Sequence, residues 1–262
     1  LGIEYLIIPI DAFSDKNKNL FLNLDRKYIP PAHIRELSDE NIQAKVRGTN
    51  ILSNIAGRYG RLLINNGNKL EIALGYATLY GDINGALAPI GDLTKTEVYD
   101  LGKFLNKEIF RKEIIPATLF PDELFRFSGD KIAPTAELKS NQVDPMKFGY
   151  HCALINAFTD YFRRTPEDIM EWYIEGTIEK NLGIRPGLMQ RWGIDNPHEF
   201  LKDMEWFVSC IHNSVFKRVQ SPPIIITSRS AYGYDIRESM LPFEPAIRYR
   251  ELKKKILKKK YC

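Results

Sequence analysis

The sequence predicts an α/β fold: an open, mostly parallel sheet with flanking helices, followed by a helical C-terminal region. Three observations carry this reading. The runs Tyr5-Leu6-Ile7-Ile8-Pro9-Ile10 and Arg61-Leu62-Leu63-Ile64-Asn65-Asn66 have the apolar character of buried parallel strands. Helical periodicity follows each of them, and strand, helix, strand, helix is the grammar of an α/β domain. From Tyr150 to Val219 the pattern is mainly helical. The expected division is therefore residues 1–149 for the α/β domain and 150–262 for the helical region that completes it.

Taken in order, the polar stretch from Ser14 to Asn19 and the segment ending at Pro30-Pro31 read as a surface connection. Ser38, followed by Asp39 and Glu40, is a helix start, and Ile42, Val46, Ile51, Leu52 and Ile55 keep helical period to a stop at Gly60. After the second strand a Gly67-Asn68 turn opens a helix through Leu70, Ala73, Leu74 and Ala77. In open α/β sheets ligands bind beyond the carboxyl ends of the strands, which directs attention to Asn65 through Glu71. A Gly-rich loop then leads to Thr94-Lys95-Thr96-Glu97, a capping box opening the helix that carries Val98, Leu101 and Leu105. From Ile114 to Pro145 prolines and polar residues suggest a long loop that could act as a lid. Thr165-Pro166-Glu167-Asp168 caps a further helix with proline at its first position.

Composition narrows the function. The 44% hydrophobic content suits one sizeable core. The net charge of +4 owes much to the lysines between Lys253 and Lys260, so the body is near neutral and gives no argument for nucleic acid. The tail itself reads as a solvated helix end. The three cysteines, Cys152, Cys210 and Cys262, are scattered and lack any Cys-x-x-Cys pair, which argues against a disulfide framework or zinc knuckle and fits a reducing cytoplasm. No apolar run reaches the roughly 20 residues that span a bilayer, so no membrane partner is expected. His33, His151, His198 and His212 show no metal-ligand spacing and read as structural or surface residues. The start, without Met and running at once into a strand, leads us to expect that residues are missing upstream.

Several strings, in order, resemble the synthetase domain of NAD synthetases, members of the N-type ATP pyrophosphatase group with an adenine nucleotide alpha hydrolase-like fold. They are Asn41-Ile42-Gln43-Ala44-Lys45-Val46-Arg47-Gly48, Gly67-Asn68-Lys69-Leu70-Glu71 and Gly75-Tyr76-Ala77-Thr78-Leu79-Tyr80-Gly81-Asp82. They continue with Ala88 through Thr96, Pro134-Thr135-Ala136-Glu137-Leu138, and Lys217-Arg218-Val219-Gln220-Ser221-Pro222-Pro223. The resemblance implies conversion of nicotinic acid adenine dinucleotide to NAD: ATP adenylates the pyridine carboxylate, pyrophosphate leaves, and ammonia displaces AMP. Such chemistry needs Mg²⁺ on the phosphates, basic groups for growing negative charge, and exclusion of water from the adenylate.

By the same resemblance Glu71 is the Mg²⁺ ligand; Asn66, Lys95 and Thr135 contact ATP; Asn41, Arg47, Tyr80 and Asp82 line the dinucleotide site; and Lys217 closes over substrate as the catalytic lysine. Plainer readings stand beside these. Asn68 and Glu71 have capping-box spacing. Asn66 stands where relatives usually have Thr, and Asn before Gly is a common turn pair. On an ideal helix Asn41 shares a face with Lys45 while Arg47 is rotated away, so one of them serves a second subunit or solvent. Lys95 lies in a first helical turn, where the dipole disfavours a cation unless an anion is near. Lys217 could be one charge of a solvated helix end, and Gly81-Asp82 is ordinary turn chemistry.

No Ser-Gly-Gly-x-Asp-Ser loop, which in the family cradles pyrophosphate and supplies a second acidic metal ligand, occurs in the sequence. The expectation is a truncated ATP pyrophosphatase-like domain, inactive alone. The string Asp144-Pro145-Met146-Lys147-Phe148-Gly149-Tyr150-His151 resembles the glutamine-dependent branch, in which an upstream nitrilase-like domain supplies ammonia. Free ammonia as donor is the alternative within the family. The resemblance also implies a homo-oligomer with the dinucleotide bound across a dimer interface. Other readings are a non-catalytic remnant that dimerises or binds dinucleotide, and a related pyrophosphatase that amidates a purine nucleotide.

Overall fold

The computed structural model describes residues 4–25, 31–134, 144–159, 163–232 and 244–258. In them the chain is predominantly helical. Helix α1 is Asp11–Asp25 and α2 is Ala32–Lys45, which runs on without a break through a wider π-helical stretch, Val46–Ser53, into α3, Asn54–Arg58. Two short site helices follow, α4 (Lys69–Leu74) and α5 (Lys95–Phe104). The second half contains α6 (Tyr150–Thr159), α7 (Pro166–Glu175), α8 (Ile178–Leu182), α9 (Leu188–Arg191), α10 (Pro197–Asn213), α11 (Val215–Arg218) and α12 (Ile247–Lys258).

Several expectations about the first half are corrected. Tyr5 through Ile10 is irregular, and Tyr5, Leu6 and Ile7 are exposed, because no described segment pairs with it. A parallel strand is stable only when neighbours satisfy its backbone and cover both faces. The supposed connection beginning at Ser14 is mostly helix: Asp11 to Asp25 contains neither Gly nor Pro, and Asp11 favours the positive end of the helix dipole. Helix α2 begins after Pro31, not at Ser38. Helix α4 ends at Leu74 rather than continuing to Ala77, because Gly75 takes the left-handed conformation at φ 61°. There a side chain would also collide with Ser214.

The segment from Arg61 to Asn66 forms one isolated parallel bridge, Ile64 with Leu87, while Leu62 and Ile64 stay exposed. Two more parallel bridges pair Leu79 with Ile83 and Ala88 with Ile224. Among the described residues there is no extended strand. Between Ile114 and Asp144 the described residues hold a single 3₁₀ turn, Ala117–Leu119.

The capping predictions hold where the polar residues match the helix ends. Thr94 and Glu97 bond reciprocally at the start of α5, as do Thr165 and Asp168 at α7, which also carries Pro166 in its first turn. The main core lies in the second half. Leu154, Ile155, Ile169, Met170, Phe200, Met204, Phe207 and Ile256 are completely buried, with Leu70 and Ala73 of α4 reaching into the same cluster. The lysine-rich C-terminal helix is more than a solvated end: Tyr249, Leu252 and Ile256 are buried, and α12 packs on α7 and α10. No helix of the described residues is long and apolar enough to cross a membrane.

Candidate active site

The site is built around α4, whose six residues cannot hold themselves together. At its start, Asn68 Oδ1 accepts the N–H groups of Leu70 and Glu71 at 3.0 and 3.2 Å, while Glu71 Oε2 accepts the Asn68 N–H at 3.0 Å. At its end the last carbonyls are met by α11 and the residue before it. Ser214 Oγ donates to Leu74 O, Arg218 Nη1 to Ala73 O, and Lys217 Nζ to Gly75 O and Ala77 O, all between 2.6 and 2.8 Å. Cations at a helix C-terminus also meet the negative end of its dipole.

Glu71 therefore does the capping work that its spacing predicts and keeps a second oxygen for the cavity. Its Oε1 lies 3.9 Å from Lys95 Nζ, which supplies the anion that a cation in the first turn of α5 requires. The Lys95 ammonium also stands 5.9 Å from the Tyr99 ring and 6.0 Å from the Phe148 ring. The two site helices are tied at their starts: Lys69 N donates to Leu93 O at 2.8 Å, and buried Lys69 Nζ lies 3.0 Å from buried Asp92 Oδ1.

Two cavities meet at these elements. One, of about 410 Å³, is lined by Asn66, Glu71, Tyr76, Asp82, Asp144 and Arg47, among others. The other, of about 160 Å³, is lined by Asn41, Arg47, Tyr76, Thr78, Asp82 and Lys217, among others. Arg47, Tyr76, Ala77 and Asp82 belong to both walls. The expectation that Asn41 and Arg47 serve different places fails: both line the smaller cavity, whose wall also takes Glu40, Gln43 and Ala44 and so spans more than one face of the helix. Close approach of the backbones permits the shared wall: a side chain at Gly48 would strike the Gly81 carbonyl. Thr78 Oγ1 donates to Asn41 Oδ1 at 2.6 Å, so Asn41 is held in place at the smaller cavity.

The remaining sequence candidates are placed as follows. Asn66 is exposed at the mouth of the larger cavity. Tyr80 is exposed, with φ at 60°, and its hydroxyl lies 3.3 Å from Gln220 Oε1, outside both linings. Lys217 reaches the smaller cavity with its ammonium on two carbonyls, and burial pushes its pKa down although Cys210 and Asp82 pull the other way. Thr135 lies outside the described residues.

Three residues escaped the sequence reading. Asp144 lines the larger cavity, and burial raises its carboxyl against the pull of Lys95. Tyr76 donates to Asp144 Oδ1 at 3.4 Å, and burial, with Asp144 beside it, pushes the phenol to about 12. Asn65 fastens the turn, its amide on the carbonyls of Asp82 and Asn84 and its Oδ1 accepting the Gly67 N–H at 2.8 Å. Asn65 and Tyr76 stand inside stretches the sequence singled out, so a polar side chain at a turn, two residues before Gly67 and directly after Gly75, was the available signal. Asp144 is 73 residues from Glu71 and only the fold brings them together.

Burial also raises the Glu71 carboxyl, with Lys95 and the Asn68 N–H opposing. Two desolvated carboxylates facing one cavity, with a single ammonium beside them, form a hard-oxygen donor set suited to Mg²⁺. No group of three or more acidic, His or Cys side chains that could hold a metal occurs among the described residues.

Short capped helices thus present the Glu71 carboxylate, with Lys95 beside it, to a cavity that shares a wall with a second one. The same fold occurs in a glutamine-dependent NAD(+) synthetase from Cytophaga hutchinsonii, with a TM-score of 0.65 over 97% of this chain and 36% of that one, at 16% identity. Residues 1–180 match the NAD synthase family model, and the chain belongs to that family. It is 33% identical over 239 residues to the glutamine-dependent NAD(+) synthetase of Thermotoga maritima, covering 90% of this chain and 34% of the relative. It is likewise 33% identical over 242 residues to that of Aquifex aeolicus, with 90% and 34% covered. The chain thus spans about a third of the length of these relatives.

Proposed function

We propose that this chain forms the substrate-facing part of a synthetase that amidates nicotinic acid adenine dinucleotide to NAD at the expense of ATP. The observation that carries the reading is the pair of cavities with a common wall. One bears Glu71 and Asn66, with Lys95 beside Glu71, and the other bears Asn41 and Lys217. A carboxylate is a poor electrophile, so the reaction requires the pyridine carboxylate and the α-phosphate of ATP to meet, and two contiguous cavities suit that meeting.

In this reading the larger cavity takes ATP. Lys95 offsets phosphate charge, Asn66 and Thr135 hydrogen-bond the nucleotide, and Glu71, with Asp144 near it, holds Mg²⁺. The metal, when bound, supplies charge neutralisation on the phosphates. The smaller cavity takes the dinucleotide on Asn41, Arg47 and Asp82, with exposed Tyr80 reaching the part of the ligand that extends beyond its wall. Lys217 leaves the Gly75 and Ala77 carbonyls to stabilise negative charge on the reacting carboxylate and leaving AMP.

The names of the relatives support ammonia derived from glutamine as the nitrogen donor. The parallel bridge of Ile64 with Leu87 is compatible with an open, mostly parallel sheet in 1–149, the α/β part, with 150–262 as the helical part, although the bridge of Ala88 with Ile224 ties the two together. A dinucleotide bound across two copies makes a homo-oligomer the working form, and free thiols at Cys152 and Cys210 suit a reducing cytoplasm. With no Ser-Gly-Gly-x-Asp-Ser string to grip pyrophosphate, these residues alone bind their ligands without turnover.

Calorimetry with Mg²⁺ and the ATP analogue AMPPNP, with no dinucleotide present to accept its adenylyl group, tests the reading. Glu71→Gln preserves the capping oxygen, so folding should be retained while Mg²⁺-dependent affinity falls about tenfold. Unchanged affinity would sink the role given to Glu71. NAD formed by the chain from ATP, Mg²⁺, ammonia and nicotinic acid adenine dinucleotide would sink the claim that it is inactive alone.

A further inference from the structure

We propose that the buried pair Lys69 and Asp92, bridged by Ser228, is a positioning device that sets Glu71, on the wall of the nucleotide cavity, and Lys95 beside it at their working separation. This rests on the nucleotide reading above and adds residues that touch neither ligand.

Lys69 and Asp92 are 1% and 2% exposed. The three N–H groups of the ammonium find three acceptors: Asp92 Oδ1 at 3.0 Å, Ser228 Oγ at 2.8 Å and Ser230 O at 3.0 Å. Asp92 is equally occupied. Its Oδ2 accepts the N–H groups of Thr227 and Ser228 at 2.7 and 2.6 Å, and its Oδ1 accepts Ser228 Oγ at 2.9 Å. Although burial alone would raise it, these donors and Lys69 hold the Asp92 carboxyl below the usual range. The set is fully satisfied and joins three segments far apart in sequence.

Each segment leads directly to the site. Lys69 is the first residue of α4, two before Glu71; residues so spaced on a helix face nearly opposite ways, so anchoring one inward turns the other to the cavity. Asp92 stands three residues before Lys95, and the Lys69 N–H on Leu93 O at 2.8 Å fastens the same two helix starts through the backbone. A buried ion pair is poor value as stabilisation, since well-packed apolar residues commonly do as well. What apolar packing lacks is direction. Six directed bonds fix the relative placement of two short helices on which a carboxylate and an ammonium stand 3.9 Å apart. Displacements near 1 Å at such a site weaken function severely.

The double variant K69M/D92N removes both charges and so leaves no unpaired buried ion. We expect K69M and D92N singly to lower Tm strongly and the double variant to recover much of it. The double variant should still bind Mg·AMPPNP at least tenfold more weakly than wild type, with faster amide exchange at 68–71 and 94–97. Wild-type affinity, or wild-type exchange at those amides, overturns the proposal. Should the double variant not fold, Ser228→Ala carries the test. It removes only the bridging hydroxyl, and about threefold weaker binding at a near wild-type Tm is expected; unchanged binding overturns the proposal. A wild-type chain that binds no Mg·AMPPNP sinks the nucleotide reading instead, and the exchange rates then decide this proposal.

Discussion

The two halves of the chain are organised on different principles. From Tyr150 onward, helices α6, α7, α10 and α12 share a core of completely buried Leu, Ile, Met and Phe side chains. Before it, the site residues stand on two short helices, turns and isolated bridges, and Tyr5, Leu6, Ile7, Leu62 and Ile64 face outward. Most residues that line the two cavities lie in the first half, Lys217 of the smaller one being among the exceptions, and the main core lies in the second. Order in the site is lent by the helical half: Ser214, Lys217 and Arg218 close the end of α4, and Thr227, Ser228 and Ser230 gather its start with that of α5. Cavity-lining groups on irregular segments positioned by a rigid scaffold are a common arrangement, and here the scaffold lies largely later in the sequence.

The strongest way to break this comparison is to empty the scaffold. Phe207 is completely buried, 4.9 Å from the His151 ring and 6.0 Å from that of Phe158. Phe207→Ala should cost about 3–5 kcal/mol in a urea titration, the usual range for such a cavity. If the site half depends on the helical half, amide exchange at α4 should accelerate in step with that at α10. Protection of α4 that survives loss of α10 would show the halves to be independent.

A smaller effect comes from a charge cluster inside the scaffold. The Lys147 N–H donates to His151 Nδ1 at 3.0 Å, so the ring carries its proton on Nε2 and gives it to Asp203 Oδ2 at 3.0 Å, while Lys147 Nζ pairs with the other oxygen. Burial lowers the His151 pKa, although Asp203 opposes this, and the bonds from His151 and Lys147 hold Asp203 low despite its own burial. The signs agree. Below the ordinary histidine pKa of 6.5 the unfolded chain takes a proton that folded His151 refuses, so stability falls as pH drops from 6.5 towards the lowered folded value. Asp203 adds a loss at lower pH, below its ordinary 3.8 and through its lowered folded value. The His151 slope is at most about 1.4 kcal/mol per pH unit. His151→Gln should flatten it between pH 6.5 and 5, as read from Tm against pH; an unchanged slope would assign the acid sensitivity elsewhere.

The sequence was most legible where a local signal decides the structure. Thr94 with Glu97 and Thr165 with Asp168 fix helix starts through bonds spanning three residues, and the helical periodicity after Gly149 matches the buried faces found there. It misled where structure needs partners. Tyr5 through Ile10 has strand composition, but composition supplies no neighbouring strand. The candidate site was legible as strings of residues and illegible as geometry. Neither the cavity wall that Asn41 and Arg47 share nor the approach of Asp144 to the cavity of Glu71 could be seen in the order of the residues. Lys69, inside a string already singled out, passed unremarked because a lysine is ordinarily a surface residue.

The smallest expected effect sharpens the comparison most, because it applies one perturbation to both halves. Asn68 and Thr165 each cap a helix through a reciprocal box, Asn68 on α4 and Thr165 on α7. Replacing either by Ala removes the side-chain acceptor and should cost about 1 kcal/mol of stability. The functional consequences should part company. In Asn68→Ala the N–H groups of Leu70 and Glu71 lose their acceptor, so the first turn that carries the Glu71 carboxylate to the cavity loosens although that carboxylate keeps the N–H of residue 68, and binding of Mg·AMPPNP should weaken about threefold to tenfold. Thr165 caps a helix whose partners are α8 and α12, and Thr165→Ala should leave that affinity unchanged at a matching loss of Tm. Equal weakening in both variants would mean that the site responds to global stability alone, and the division of labour between the halves would fall.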